Sequence, residues 1–336
     1  MSTLRGFAAP AATAAAALAL AGIWLAVLGA DPVLALGALV SGAFGDSLAL
    51  ENTAVRFGPL ALVGLGVALS FRSGIWNIGG EGQLHTGALA ATALVTRVLP
   101  GGGPVSLLLA LAVGAAAGAG WAAIAAVLRV RRGVSEVLST ILLNFIAGLL
   151  VAWAVHGPLQ EATGAYPQSD AFPDAARLAL VPGLTRVHVG LFLAAALPAV
   201  LWVFLFRTAA GLRLRAVGLS PDAARYAGVS PERETIRVLA LSGALAGLAG
   251  GLEVAGVTGR LFENLATGYG FTAIAVALLA RLHPLGVIPS AIVFAALASG
   301  SGAMQRAAAV PSVAVQVIEA LVIFLSVGFA LPRRET

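Results

Sequence analysis

Ser70-Phe71-Arg72-Ser73-Gly74-Ile75-Trp76-Asn77-Ile78-Gly79-Gly80-Glu81-Gly82-Gln83-Leu84-His85-Thr86-Gly87-Ala88-Leu89-Ala90-Ala91-Thr92 lies between two long apolar runs. It carries Asn77, Glu81, Gln83 and His85 among five glycines, at a place where a membrane-crossing segment belongs. Polar and ionisable groups within a bilayer are costly, so they face a bundle interior or a wet cavity. Irregular, glycine-rich backbone at that depth is tolerated only where protein or a water-filled path satisfies its amides. Two readings follow: a tight packing site around one hydrogen-bonded carboxylate, or part of a solute path.

The rest of the chain supports a lipid setting. Hydrophobic residues make up 59% and charged residues only 10%, with mean hydropathy +0.96. A soluble domain carries roughly 25% charged residues. The expectation is an all-α integral membrane protein, with 336 residues giving room for about ten spans of roughly 20 residues each. Residues 1–336 then form a single membrane domain. The absence of cysteine excludes a disulfide framework and thiolate chemistry. The four His and few acids show no metal-ligand spacing, and neither a catalytic constellation nor a metal site is expected. Every basic residue is Arg, which excludes a P-loop and a Schiff-base lysine. The formal +5 charge has no basic stripe interleaved with aromatics, so nucleic acid is not an expected partner.

Along the chain, Arg5 and the apolar run 7–30 read as an uncleaved first span entering from the cytoplasm, longer than a signal-peptide core. Residues 31–52, with Asp31, Asp46 and Glu51, read as a short surface helix outside. Further spans are expected near 54–71, 76–96, 104–128, 136–155, 188–206, 238–257, 268–282, 285–303 and 312–330. This arrangement puts both termini in the cytoplasm. It leaves Arg56, Arg97, Arg177, Arg186, Arg260 and Arg306 outside and the other fourteen of twenty arginines inside, as the positive-inside rule asks.

Two connections are long. The external loop 157–186 carries four prolines, so its backbone reads as irregular and solvated, either a plain surface loop or a docking surface for an external protein. The cytoplasmic loop 207–237 differs. Ser220-Pro221-Asp222 supplies an N-cap, a proline at N1 and an acid in the first turn. Arg225 and Tyr226 continue a short helix that Gly228 can end, and Ser230-Pro231-Glu232 starts another. Such a helix suits reception of a push from a partner; the plainer reading is a basic topogenic loop. Gly243, Gly247, Gly250 and Gly251, like Gly114 and Gly118, follow the small-xxx-small spacing that lets helices approach closely. Glu253 sits near the outer end of its span, where it forms an ion pair with Arg260 or part of a vestibule. Span 268–282 is short and stopped by His283-Pro284-Leu285-Gly286. With the broken 74–90 stretch it gives one interrupted segment per half, the pattern of two repeats flanking a central path.

The run Gly74 to Gln83 resembles the "NIGxEGQ" signature of permease subunits from bacterial ABC importers for nucleosides, within the group that also handles branched-chain amino acids and simple sugars. Residues 133–144 are similar to that family's "GxxEVxxTxxLN" stretch, and 268–286 to its "GYGFxxIAVALLxRxHPxG" segment. Arg215-Ala216-Val217-Gly218, Ala223-Ala224 and Tyr226-Ala227-Gly228 match its cytoplasmic coupling segment. The resemblance implies an ABC importer membrane domain in the bacterial plasma (inner) membrane, multi-pass and paired as a heterodimer with a second permease. Cytoplasmic ATP-binding subunits and an external substrate-binding lipoprotein complete the assembly. ATP and Mg would bind the partner ATPase, and this chain would bind no cofactor. Gln83 in place of Met fits the nucleoside-system subunit, whereas His85 and Thr86 depart from apolar residues common there.

The function expected is therefore ATP-powered import by alternating access, with the 220–228 helix receiving the stroke. Arg215, Ser220, Pro221, Asp222, Arg225, Tyr226 and Gly228 form the coupling set. Asn77, Gln83, His85 and Asn144 offer donors and acceptors to a neutral nucleoside, with Glu81 and Glu253 completing the path. Glu81 is assigned to the broken helix's free amides rather than to solute. The alternative class is a proton-coupled secondary transporter relaying through Glu81, His85 or Glu253. A non-transporting scaffold has no need of interrupted spans.

Overall fold

The structure, a computed structural model, describes residues 19–321 other than 266, 267, 312, 314, 315 and 319. After a helical segment at 19–27 come α1 (Pro32–Phe44), α2 (Ser47–Arg72), α3 (Gly80–Ala93), α4 (Pro104–Arg132), α5 (Glu136–Val155), α6 (Gly190–Arg207), α7 (Ala209–Leu219), α8 (Pro221–Tyr226), α9 (Pro231–Glu253), α10 (Tyr269–Leu279) and α11 (Val287–Ala308). α3 and α9 run on into π turns at Leu94–Val98 and Val254–Thr258. Only isolated β-bridges occur among the described residues.

Among the described residues, six helices are long and apolar enough to cross a membrane: Ser47–Arg72, Pro104–Arg132, Glu136–Val155, Gly190–Arg207, Pro231–Thr258 and Pro284–Ala308. α10 has 11 residues. At a rise of 1.5 Å each it covers about 16 Å, half of a hydrocarbon core of about 30 Å. It is a half-helix, as its glycine and proline borders suggest. The expected spans 104–128, 136–155, 188–206 and 285–303 coincide with α4, α5, α6 and α11. Half of the expected span 7–30 and most of 312–330 lie outside the described residues.

Two borders move for physical reasons. The expected surface helix 31–52 ends at Phe44; Asp31 caps it by accepting from Val33 N at 2.8 Å. Asp46 then accepts from Ala49 N at 2.7 Å and opens α2 at Ser47. The polar residues that argued for surface are drawn into the bundle: Glu51 and Thr53 are buried, and the Thr53 hydroxyl donates to Ala43 O at 2.9 Å. Expected span 76–96 instead begins with non-helical residues 75–79 and becomes helix at Gly80.

The described residues sort into two compact units, drawn from Met1–Phe57 with Pro289–Thr336 and from Gly58–Ile288. The first packs Ala21, Leu25, Ala35 and Leu39 around Met304, Val310 and Ile318. The second is built on a crossing of α3, α4 and α9. A Cβ on Gly247 would overlap the Gly114 carbonyl, one on Gly118 the Gly243 carbonyl, and one on Gly250 the Leu84 carbonyl. Backbone meets backbone there, which is what small-residue spacing in membrane helices permits.

The 157–186 loop is laced onto the end of α9. Ser169 N donates to Leu261 O at 2.8 Å, Phe172 N to Gly259 O at 2.9 Å and Leu178 N to Ala255 O at 2.9 Å. Arg97 reaches the carbonyls of Pro158 and Gln160 and pairs with Asp170 at 3.1 Å. Arg260 pairs with Glu161 at 2.8 Å. The backbone is irregular, as the prolines suggest, and several of its amides, among them Ser169, Phe172 and Leu178, bond protein carbonyls.

Candidate functional site

α2 ends where Gly74 adopts φ +73, and residues 75–79 then run without helical hydrogen bonds. Their buried backbone groups need partners. One face of α5 supplies them. Glu136, Thr140 and Asn144 recur every four residues, so they stand above one another. Glu136 Oε1 accepts from Trp76 N at 3.3 Å, and Thr140 Oγ1 accepts from Ile78 N at 3.2 Å. Asn144 spans the join with the helix: its Nδ2 donates to Ile78 O at 2.9 Å and its Oδ1 accepts from Gly82 N at 2.8 Å. Glu136 is itself fixed by an ion pair with Arg129, across a turn made by Gly133 at φ +67.

Inside this ladder, Asn77 and Gln83 bond each other through both amide groups, at 3.0 and 2.9 Å. Asn77 Nδ2 also donates to Ser242 Oγ on α9 at 2.8 Å, and its Oδ1 accepts from Gly79 N at 2.9 Å. An Asn amide has two donors and two acceptor positions, and all four of Asn77's are occupied.

Glu81 ties the first interrupted segment to the second. Its carboxylate accepts from Gly268 N at 2.8 Å and Gly270 N at 2.5 Å, the free amides at the start of α10. A carboxylate is favoured there by the orphan donors of a helix start and by the helix dipole. Gly270 is required by proximity, since a Cβ would overlap the Glu81 backbone nitrogen. The sequence reading assigns Glu81 to the free amides of its own broken helix; in the structure it bonds amides from the other half of the chain.

One turn further along α3, His85 is 8% exposed, and neither ring nitrogen has a hydrogen-bond partner among the described residues. Thr86 turns back to the carbonyls of Gly82 and Gln83, both at 3.0 Å. Glu253 is buried at the last residue of α9. Thus Asn77 and Gln83 bond each other, and Asn144 bonds the backbone of the same stretch at Ile78 and Gly82. Glu81 bonds the separate amides of Gly268 and Gly270, and His85 takes part in none of these contacts. The sequence reading matched Glu136 and Thr140 to a family stretch but gave them no role in the site, and it missed Ser242; the four-residue spacing of polar groups on an apolar helix was the available signal for the role of the first two. Among the described residues no group of three or more His, Asp or Glu is placed to hold a metal ion.

The 207–237 segment folds on local signals. Ser220 Oγ accepts from Ala223 N at 3.2 Å with Pro221 at N1. Gly228 takes φ +79, and Ser230 caps α9 through Arg233 N at 3.3 Å. Arg225 bridges Asp222 at 3.3 Å and Glu232 at 2.8 Å, bracing α8 against α9. α7, which was not foreseen as a helix, is capped by Thr208. Leu219 and Tyr226 project at 89% and 95% exposure, an apolar tip on an otherwise charged face. α7 rests on the start of the non-helical stretch: a Cβ on Gly218 would overlap the Arg72 carbonyl. A cavity of about 360 Å³ lies alongside, bounded by Ser73, Ile75, Arg129, Pro221, Glu232 and Thr235.

Residues 49–327 match the family described as branched-chain amino acid transport system, permease component. The chain is 40% identical to a glucose ABC transporter permease protein of Haloferax volcanii, over 97% of this chain and 90% of the relative. It is 34% identical to a guanosine ABC transporter permease protein of Bacillus subtilis, over 94% of this chain and 91% of the relative. A second guanosine permease protein of that organism is 29% identical, over 74% of this chain and 80% of the relative.

Proposed function

We propose a function from one premise: the chain belongs to the family of branched-chain amino acid transport system permease components, as an ABC transporter permease of the nucleoside and sugar type. It is a multi-pass membrane transport component, not an enzyme. Our reading is that it imports a nucleoside across a bacterial plasma membrane, with about ten spans and both termini in the cytoplasm. A second related permease completes the path, as the two guanosine permeases of one organism suggest. A separate subunit binds and hydrolyses ATP with Mg, and an external lipoprotein delivers solute. The similarity to a glucose permease supports a simple sugar as the second candidate cargo.

The observation that carries this reading is the contact chain from the exposed α8 tip to the locked stretch. Tyr226 projects outward, α8 is braced on α9 by Arg225, and α7 touches Arg72 and Ser73. A push on α8 reaches the 73–83 segment through packed backbone. Arg215, Ser220, Pro221, Asp222, Arg225, Tyr226 and Gly228 are the coupling set in this proposal. Asn77, Glu81, Gln83 and Asn144 shape the path wall, Glu253 lies toward its outer end, and His85 presents unspent ring nitrogens to a solute hydroxyl or base edge.

The test is uptake into proteoliposomes holding the co-purified assembly, with guanosine and glucose as competing probes. ATP-dependent accumulation that Tyr226→Asp abolishes, together with loss of ATPase stimulation, is the expected result. Uptake that survives ATP depletion and collapses with an uncoupler would instead establish proton coupling.

A further inference from the structure

Within Gly58–Ile288 an apolar groove of about 290 Å³ runs between α2, α6 and α9, lined by Leu65, Leu69, Leu197, Leu201, Phe204 and Leu245 among others. It has no polar group to hold a solute and nothing that would order water. Part of its lining packs in one set with Phe206, on whose ring a charged cluster sits. Leu69, Leu201, Phe204 and Phe206 belong to one packed set, and Arg72 follows Leu69 by one turn on α2. The Arg72 guanidinium lies 4.9 Å and the Arg215 guanidinium 5.0 Å from the centroid of the Phe206 ring. His283 stacks on the same ring at 5.7 Å.

Two cations on one aromatic ring gain cation–π attraction but repel each other and lose water. Among the described residues neither is in an ion pair. Arg72 gives one bond to Leu282 O at 3.1 Å. The Arg215 Nε is buried with no acceptor. A topogenic role places arginines at this membrane face, but it does not seal a guanidinium nitrogen from solvent without a partner. An oxyanion accepting from both guanidiniums supplies what is missing, in the geometry Arg favours for phosphate.

We propose that the Arg72–Phe206–Arg215 cluster and the α2–α6–α9 groove together form a site for one anionic phospholipid, its phosphate between the two guanidiniums and an acyl chain in the groove. The apolar slot selects this occupant over a free anion, and the paired arginines select it over a zwitterionic lipid, whose own cation would face them. The leaflet on the side of the 207–237 arginines is the source, since basic residues near a membrane surface favour anionic headgroups.

The test is native mass spectrometry of the full-length chain in mild detergent, titrated with dioleoyl phosphatidylglycerol, dioleoyl phosphatidylcholine or inorganic phosphate. One phosphatidylglycerol per chain is expected, with phosphatidylcholine at least tenfold weaker and inorganic phosphate unable to displace the lipid. Arg72→Gln/Arg215→Gln is expected to remove the headgroup preference, and Ala244→Trp, which fills the groove, to weaken phosphatidylglycerol without restoring phosphatidylcholine. Equal affinity of the unaltered protein for the two lipids overturns the proposal, whatever the variants do. So does phosphatidylglycerol binding that survives the double substitution while co-purification of an ATPase is lost, which would assign the arginines to a protein carboxylate. Displacement of the lipid by inorganic phosphate overturns it in favour of a free anion.

Discussion

Replacing Glu81 with Gln removes one acceptor from a site that offers only donors. The wild-type carboxylate takes Gly268 N at 2.8 Å and Gly270 N at 2.5 Å, and its residue is 8% exposed. A glutamine carbonyl keeps one of these bonds, while its NH2 group faces the other amide donor to donor. A buried donor left without a partner costs about 1–3 kcal/mol. Loss of the negative charge at the start of α10 adds about 0.3–1 kcal/mol. The cost falls on the opening of the 268–270 turn, so it is read locally. Hydrogen–deuterium exchange of peptides covering 268–272, followed by mass spectrometry in detergent, measures it directly. The combined penalty of about 1.3–4 kcal/mol corresponds to exchange about 9- to 900-fold faster, with peptides from the α4–α9 crossing unchanged. Glu81→Ala frees both amides and is expected to open the turn further. Exchange at 268–272 within twofold of the unaltered protein would refute the claim that this carboxylate holds the second half-helix.

Gly247→Ala places a methyl against the Gly114 carbonyl; overpacking of this kind costs about 1–3 kcal/mol or more, seen as a lower thermal unfolding midpoint in detergent. Asn77→Ala strands Gly79 N, the Ser242 hydroxyl and both groups of the Gln83 amide, at about 1–3 kcal/mol for each group that finds no new partner. Ser242→Ala strands one, so its midpoint is expected to fall the less of the two. The Glu161 carboxyl is held below the usual carboxylate range by its hydrogen bond from Gln168, then by those from Thr163 and Tyr166 N and by Arg260. A depressed folded-state pKa stabilises above the ordinary carboxylate pKa of about 4.3 and is lost as pH falls through the folded value. The unaltered protein should therefore unfold at a higher temperature than Glu161→Gln at neutral pH, and the difference should vanish in acid below the usual carboxylate range. A difference that persists there would detach the loop's docking from this charge.

What the sequence made legible was governed by neighbours along the chain. Ser220-Pro221-Asp222 and Gly228 marked α8 because capping is a matter of three or four residues. The small-residue spacing at Gly114, Gly118, Gly243 and Gly247 marked a crossing because the period lies on one helix, although it did not say that these two helices were partners. The break at 74–79 was visible for the same reason. Its consequences were not, because they run between distant segments. Glu81 bonds residues nearly two hundred positions away, and Glu136 and Thr140 reach back about sixty. The amides of Asn77 and Gln83, read as donors free for solute, are bonded to each other and to the scaffold, a pairing no composition or period announces. α2 was begun too late because Glu51 and Thr53 look like surface residues until a partner for the Thr53 hydroxyl is seen at Ala43.

The glycine crossing of α3, α4 and α9 also constrains how this protein can move. Side chains between helices act as rollers: they change rotamer and let one rod slide past another. Where carbonyl touches α-carbon there are no rollers, and the three helices are riveted at their midpoints. Any opening of a route for cargo must then swing this trio as one plate, with the bending left to its margins, at the Gly74 elbow and at the left-handed pair Arg281–Leu282.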